Sequence, residues 1–339
     1  MKKEDSLALK GVAIIMMLLY HLFYCGTGGG KIPDIVYFNE IHQWSVVRFS
    51  EICYPVSLYV LLTGYGLYCT FENLTWGKIL KKVAYIYLHL WIIYLIFLPI
   101  ASYLMPGKYP GSISELLKNV FSVSASYCTE QWFLFPYLIL YIFSKWICRF
   151  IQSHNSKLVL LLSSIIYALY LVIYKMVGVG FISNHFGILV NLYFVMAFFL
   201  PFTLGAIAKK EKWVESISIW TDNHFGQRKG WYVWIMLLVI IAFRMVLHNQ
   251  SIQPFVVLLL FLLFPLLGIK DKVKNALMYL GKHSMNIWLI HGWICFYLFT
   301  NVISIAKYPM GIIIVTLVWS LLVSIVVDFV YKHLFARYF

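Results

Sequence analysis

The sequence predicts an all-α polytopic membrane protein of about ten transmembrane helices with both termini in the cytoplasm. Three observations predict it: an apolar excess, apolar runs of spanning length along the whole chain, and a sided distribution of basic residues. Of the 339 residues, 62% are hydrophobic and only 12% are charged. Soluble domains run near 45–50% apolar and about 25% charged.

The apolar runs fall at 7–25, 52–70, 83–105, 132–147, 158–176, 186–208, 231–247, 252–269, 284–303 and 310–330. Each approaches the ~20 residues a helix needs to cross about 30 Å of hydrocarbon. The runs 132–147 and 231–247 are short. Pro55, Pro99, Pro136, Pro201, Pro254 and Pro265 predict local kinks, and two of them fall in the run 252–269. The first run follows Lys2 and Lys3, as in a signal peptide. No small-x-small cleavage site follows it, so it reads as a retained helix.

With the amino terminus inside, 20 of the 27 basic residues fall in inner segments, Arg337 among them. Outer segments hold the rest, including Lys31, Arg48 and Lys108. This obeys the positive-inside rule. An error of one helix would swap every later loop and destroy the asymmetry. The net charge of +14 could suggest nucleic acid. The charges sit in short loops between apolar runs, however, and no nucleic-acid motif appears, so no nucleic-acid partner is expected.

The six cysteines include no C-x-x-C pair and no metal-ligand spacing. They read as apolar packing residues, with a disulfide left open among Cys25, Cys53 and Cys128 near the outer face. The longest polar loops, 26–51, 106–130 and 209–230, are too short for an independent domain. We expect a single transmembrane domain over 1–339 with no appended soluble domain.

The most informative feature is a pair on the first run, Lys10 and His21. Eleven residues at ~100° each make three turns plus about 20°, so the two share one helix face roughly 16 Å apart. Intramembrane ionisable groups are functional candidates by default. Other outer-side groups are Arg48 and Glu51 entering the second helix, Glu130 before Trp132, and Arg244 and His248 ending the seventh. His291 lies near the middle of the ninth run. Lys78, Lys81, Lys82, Lys282 and His283 lie on the inner side. A mixed-charge outer cluster suits acid–base chemistry, and a positive inner cluster suits phosphate.

Each group also has a plain structural reading. Lys10 can snorkel to headgroups. Arg48 and Glu51, spaced i, i+3, can form an ion pair, as can Asp328 with Lys332. Glu130 can be a solvated loop residue, and His291 a hydrogen-bonded core histidine. His21 resists this reading best, because its depth makes an idle polar group costly.

The Lys10…His21 spacing resembles the R-x10-H signature on the first helix of the acyltransferase-3 family, ten-helix membrane enzymes that acylate sugars. Three further stretches agree, in order. Tyr59-Val-Leu-Leu-Thr-Gly64-Tyr65-Gly-Leu is similar to F-x-x-S-G-[FY]-L on helix two. Gln131-Trp132-Phe-Leu-Phe resembles the L-W-[FY] start of helix four. Leu280-Gly281-Lys-His-Ser284-Met-Asn-Ile-Trp288-Leu-Ile-His291 resembles G-x-x-S-x-x-[IL]-[YW]-L-x-H. The chain departs from the family in carrying Lys10 for the signature arginine, and Lys81 and Lys82 where arginines usually lead into helix three. An ammonium cannot make arginine's planar two-pronged contact.

The resemblance implies a membrane O-acyltransferase of the bacterial cytoplasmic membrane. It would move an acyl group, acetyl being the expected one, from acyl-CoA to a hydroxyl of a cell-surface or lipid-linked carbohydrate. His21 would be base or acyl carrier, oriented by Glu51 or Glu130. Lys10, Lys81 and Lys82 would hold the donor phosphates. Tyr65, Trp132, Arg244, Ser284 and His291 would line the tunnel or the acceptor site. No tightly bound cofactor and no metal is expected, acyl-CoA being a co-substrate. The lipid bilayer and a carbohydrate acceptor are expected partners, with glycan-synthesis proteins or a second copy of the chain left open. Two other classes share the ten helices and buried charges: a glycan or lipid-linked sugar transporter, and a membrane scaffold without chemistry. An inverted repeat would favour the transporter, and none is found.

Overall fold

The computed structural model describes residues 1–25, 32, 34–178, 187–247 and 249–335. Lys31, His248, Arg337 and the start of the run 186–208 lie outside them. The helices in chain order are α1 (Lys3–Leu19), α2 (Glu40–Ile52), α3 (Val56–Tyr68), α4 (Trp76–Leu104), α5 (Ile113–Val120), α6 (Leu134–Ser153), α7 (Ser156–Val177), α8 (Val190–Lys210), α9 (Trp213–Phe225), α10 (Lys229–Val246), α11 (Gln253–Leu263), α12 (Asp271–Lys282), α13 (Ser284–Gly292), α14 (Thr300–Ser304) and α15 (Pro309–Leu334). Single π-helical turns, Tyr20–Cys25 and Trp293–Leu298, extend α1 and α13.

The chain is an all-α polytopic membrane protein. Every apolar run of the sequence carries helix, and eight helices among the described residues are long and apolar enough to cross a membrane. The other two runs differ from that pattern. The run 252–269 yields a shorter apolar helix, Gln250–Leu266, because Pro265 ends α11 in a 3-10 turn. The run 284–303 is divided into α13, its π turn and α14, with a break at Phe299.

Local chemistry sets several boundaries. Asn39 caps α2 by accepting a bond from the His42 N–H, and Asn155 caps α7 through Lys157. Pro55 disfavours helix at Tyr54 and separates α2 from α3. Pro309 opens α15, where its missing N–H costs nothing.

The described residues form two compact units. The first comprises Met1–Leu9, Val56–Ile79 and Phe135–Met278; the second comprises Lys10–Pro55, Leu80–Leu134 and Tyr279–Phe339.

In the first unit, α8 packs against α3 and α7. The α3–α8 crossing is close because two glycines meet there. A Cβ on Gly64 would strike the Phe202 carbonyl, and one on Gly205 would strike the Leu61 carbonyl. Lipid tails are as apolar as leucine, so helices in a bilayer associate through such close backbone approach. The family-like Thr63-Gly64-Tyr65 is in this sense a packing motif.

In the second unit, Trp293 is fully buried. The rings of Phe97, Tyr94, Tyr109 and Tyr297 pack around it with centroids 5.7–6.2 Å away. Burial, and then neighbouring Cys128 and Glu130, push the Tyr109 phenol above its ordinary value. All six cysteines are thiols rather than half-cystines, with Cys25 and Cys69 exposed and the others buried.

Gly64→Ala and Gly205→Ala should each force the α3–α8 crossing apart. The expected cost is about 1–3 kcal/mol or more, read as a lower melting temperature in detergent. Gly66→Ala, where a Cβ meets open space, should leave it unchanged.

Candidate active site

The second unit brings His21 and His291 together. Their Nδ1 and Nε2 atoms lie 2.7 Å apart. The rings are 4° from parallel with centroids 4.9 Å apart. With nitrogens so close and centroids so far apart, the rings meet edge to edge rather than face to face. That is the in-plane geometry an N–H···N bond requires.

The bond assigns the protons. His291 is fully buried, and its Nδ1 lies 2.7 Å from the Trp288 carbonyl oxygen. A carbonyl only accepts, so Nδ1 of His291 carries a proton. The Nε2 of neutral His291 is then an acceptor, and His21 donates to it from Nδ1. The basic nitrogen of the half-buried His21 is therefore Nε2. When Nε2 takes a proton, the charge is stabilised along the chain from His21 through His291 to the Trp288 carbonyl.

Both histidines sit at irregular helix. α1 keeps α geometry to Leu19, and His21 is the second residue of the π turn that follows. His291 lies two residues before the π turn beginning at Trp293. Single π turns inside helices recur at functional sites.

The segment Thr129–Gln131 is held against α13 and its extension at three places. Trp288 Nε1 donates to the Glu130 carbonyl at 3.0 Å. Gln131 Nε2 donates to the Leu289 carbonyl at 2.8 Å. The Tyr297 hydroxyl accepts from the Thr129 N–H at 3.1 Å and lies 2.8 Å from its hydroxyl. Gln131 Oε1 also accepts from the Tyr94 hydroxyl at 2.8 Å, tying in α4. The Glu130 carboxylate is buried and accepts from Thr129 Oγ1 at 3.2 Å and Cys128 Sγ at 3.5 Å. It packs on Gly292, the neighbour of His291: a Cβ there would stand 2.7 Å from Glu130 Oε2.

The other sequence candidates fall as follows. Glu51 is buried in the second unit and pairs with Arg48 at 3.0 Å. α2 packs on the π turn that carries His21, with the Tyr54 ring edge-on to Tyr20 at 5.2 Å. Lys10 is half-buried, and its charge interacts with that of Lys82. Lys82 and Lys81 are exposed, and Lys82 Nζ stands 4.4 Å over the Tyr85 ring. Trp132 is half-buried beside Phe133, whose ring meets Trp288 at 5.2 Å. Ser284 is buried as the first residue of α13.

Tyr65 and Arg244 belong to the first unit. The Tyr65 hydroxyl accepts from the Met1 amine at 2.8 Å, and its ring packs on Phe261. Arg244 is buried and donates to the Leu247 and Asn249 carbonyls and to Gln253 Oε1, at 2.8–3.3 Å.

Sequence reading missed several positions. Gln131 and Trp288 lie inside family-like stretches, but only the fold gives them backbone partners. Gly292 carried no signal beyond following His291. The expected Asp328–Lys332 pair is replaced by another cluster. The Asp328 carboxylate meets His283 Nδ1 at 3.2 Å, Asn286 Nδ2 at 2.8 Å and His89 Nε2 at 3.4 Å. Among the described residues no group of three His, Cys, Asp or Glu is placed to hold a metal ion.

The second unit thus places a hydrogen-bonded imidazole pair inside a helical membrane protein. Comparison with protein families makes this particular. Residues 7–329 match Acyl_transf_3, described as an acyltransferase domain, and the chain belongs to that family. Comparisons with curated proteins and with solved structures gave no match.

A Cβ at Gly292 would also stand 2.5 Å from the buried Cys128 Sγ, so Gly292→Ala should displace both that thiol and the Glu130 carboxylate. Acyl transfer should fall at least tenfold, with a smaller loss of melting temperature than Gly64→Ala, whose Cβ strikes backbone, and Gly292→Ser should be no better.

Proposed function

We propose that the protein is an O-acyltransferase of the bacterial cytoplasmic membrane, taking an acyl group, acetyl by preference, from acyl-CoA to a carbohydrate hydroxyl. The observation that carries this reading is the hydrogen-bond chain that leaves His21 Nε2 basic. In the direct reaction Nε2 takes the proton of the acceptor hydroxyl as its oxygen attacks the thioester carbonyl. The tetrahedral oxyanion collapses, the C–S bond breaks, and the thiolate takes the proton back from His21. Atoms and charge balance, and no other reactant is needed. In the covalent variant Nε2 attacks first and carries the acyl group.

Glu130, buried against Gly292, is the carboxylate we assign to orienting the pair, whereas Glu51 is engaged with Arg48. Lys10 lies about eleven residues, or roughly 16 Å, before His21 along the helix. That is a fitting reach for the pantetheine arm between phosphates at Lys10 and a thioester at His21. Lys82, whose charge interacts with that of Lys10, gives the diphosphate a second cation, and Lys81 lies beside it in sequence. Two point charges stand in for the family arginine's fork.

His21→Ala should abolish acetyl transfer from acetyl-CoA to glycan acceptors and leave the melting temperature near wild type. A folded variant turning over at the normal rate would remove the enzyme reading from this helix.

Lys10→Ala should raise the KM for acyl-CoA about ten- to a hundredfold, since a lost charge-assisted contact is worth about 1.5–3 kcal/mol. Lys10→Arg should keep or improve it. Unchanged donor kinetics in Lys10→Ala would mean that Lys10 only snorkels to headgroups.

A further inference from the structure

The second unit carries an aromatic and polar stripe that the acyl-transfer chemistry does not use. On α2, Glu40, Trp44, Val47, Arg48 and Glu51 fall within about 100° of one another at ~100° per residue. With Gln43 and Ile41, the first four line a shallow surface cleft of about 670 Å³. Burial increases along the stripe. Glu40 and Gln43 are exposed, Trp44 is 53% exposed, Arg48 is half-buried and Glu51 is buried. Beyond Glu51 comes Tyr54, packed on Tyr20 beside His21. The cleft itself ends at Arg48, and the packed residues Glu51 and Tyr54 continue the same helix face toward Tyr20, the neighbour of His21.

α2 carries Glu40, Gln43 and Arg48, groups that hydrocarbon excludes, so its first turns read as lying outside the bilayer core. The segment is also anchored. The Val36 N–H donates to the Lys307 carbonyl at 3.0 Å, the Phe38 ring packs on Tyr308, and Asn39 caps the helix.

A half-exposed tryptophan above the membrane, flanked by an amide, a carboxylate and a guanidinium, has the chemistry of a sugar subsite. The indole face stacks on the C–H face of a pyranose, and the planar polar groups take its hydroxyls. From Trp44 to Glu51 the stripe covers roughly 10 Å, a length that an oligosaccharide fills and a single ring does not. We propose that the α2 stripe binds the acceptor as an extended oligosaccharide. Trp44 would stack on a ring remote from the acylated one, and Glu40, Gln43 and Arg48 would take hydroxyls along the way. The proposal rests on the carbohydrate-acceptor reading above and adds the subsite and the chain length to it.

The test uses purified full-length protein in two assays. One measures acetyl transfer from acetyl-CoA to methyl glucoside, galactoside and N-acetylglucosaminide, each against the matching trisaccharide. The other measures calorimetric binding of the same trisaccharides without donor. For at least one trisaccharide, Trp44→Ala should raise the KM and Kd roughly tenfold, while the KM of the monosaccharide and of acetyl-CoA stay unchanged. Trp44→Phe should keep most of the affinity. Transfer to a trisaccharide that Trp44→Ala leaves untouched overturns the subsite and makes Trp44 an interfacial anchor. A Trp44→Ala protein with a raised acetyl-CoA KM also overturns it, the change then being one of folding. Trp44-dependent binding without any transfer supports the subsite and removes the acyl-transfer reading. Neither binding nor transfer with any of the sugars overturns both.

Discussion

The bond from His21 Nδ1 to His291 Nε2 is the interaction on which the site depends. An imidazole in a membrane span is tolerated when both nitrogens have work to do. Here the Trp288 carbonyl fixes one proton on His291, and His291 in turn fixes the proton of His21. The tautomer of His21, the proposed base, is thus decided by a backbone carbonyl two hydrogen bonds along the chain. Histidine pairs that are not so anchored share protons among several arrangements; this one has a defined donor end and a defined basic end.

Such a bond tolerates little displacement, because an N–H···N contact weakens steeply off its line. The packing of the second unit supplies the necessary stiffness. Gln131 joins α4 to α13, Trp288 holds the Glu130 carbonyl, and Gly292 lets the Glu130 carboxylate lie against the helix beside His291. None of these residues performs chemistry in the proposed reaction. They set where the chemistry of the proposed reaction happens.

The fold was legible in the sequence because membrane insertion imposes a simple constraint. Each spanning segment must be helical and apolar, so length and hydropathy carry nearly all the information. Backbone chemistry interrupts the rule at Pro265, whose kink the sequence predicts, and in the broken helix after His291, which the sequence does not announce. The site was legible in part. His21 stands out because a titratable group in an apolar run is rare, and the spacing from Lys10 carries the family resemblance. His291 was singled out for its motif, but its partner lies 270 residues away, a pairing no local pattern encodes. Gln131 and Trp288 were hidden for the same reason, since what they bind is backbone, and backbone leaves no signature in residue types. Asp328 misled because Lys332 at i+4 offered a local partner, whereas the fold supplied nearer donors from other helices.

That Asp328 cluster completes the account of why His291 stays in place. A carboxylate in a span is costly unless donors surround it. Asp328 on α15 meets Asn286 on α13, His283 just before α13, and His89 on α4. His283 also lies 2.9 Å from Ser324, and His89 Nδ1 lies 2.7 Å from the Tyr85 carbonyl. α13 is therefore pinned at both ends: at its start by a polar cluster joining three helices, and near its end by the Gln131 bond to the Leu289 carbonyl and the Trp288 bond to the Glu130 carbonyl. A nine-residue helix held in this way has little freedom to slide or rotate. Its first turn, with Asn286, sets the register and its last turn presents His291. The Asp328 cluster thus fixes the helix that presents His291 to His21.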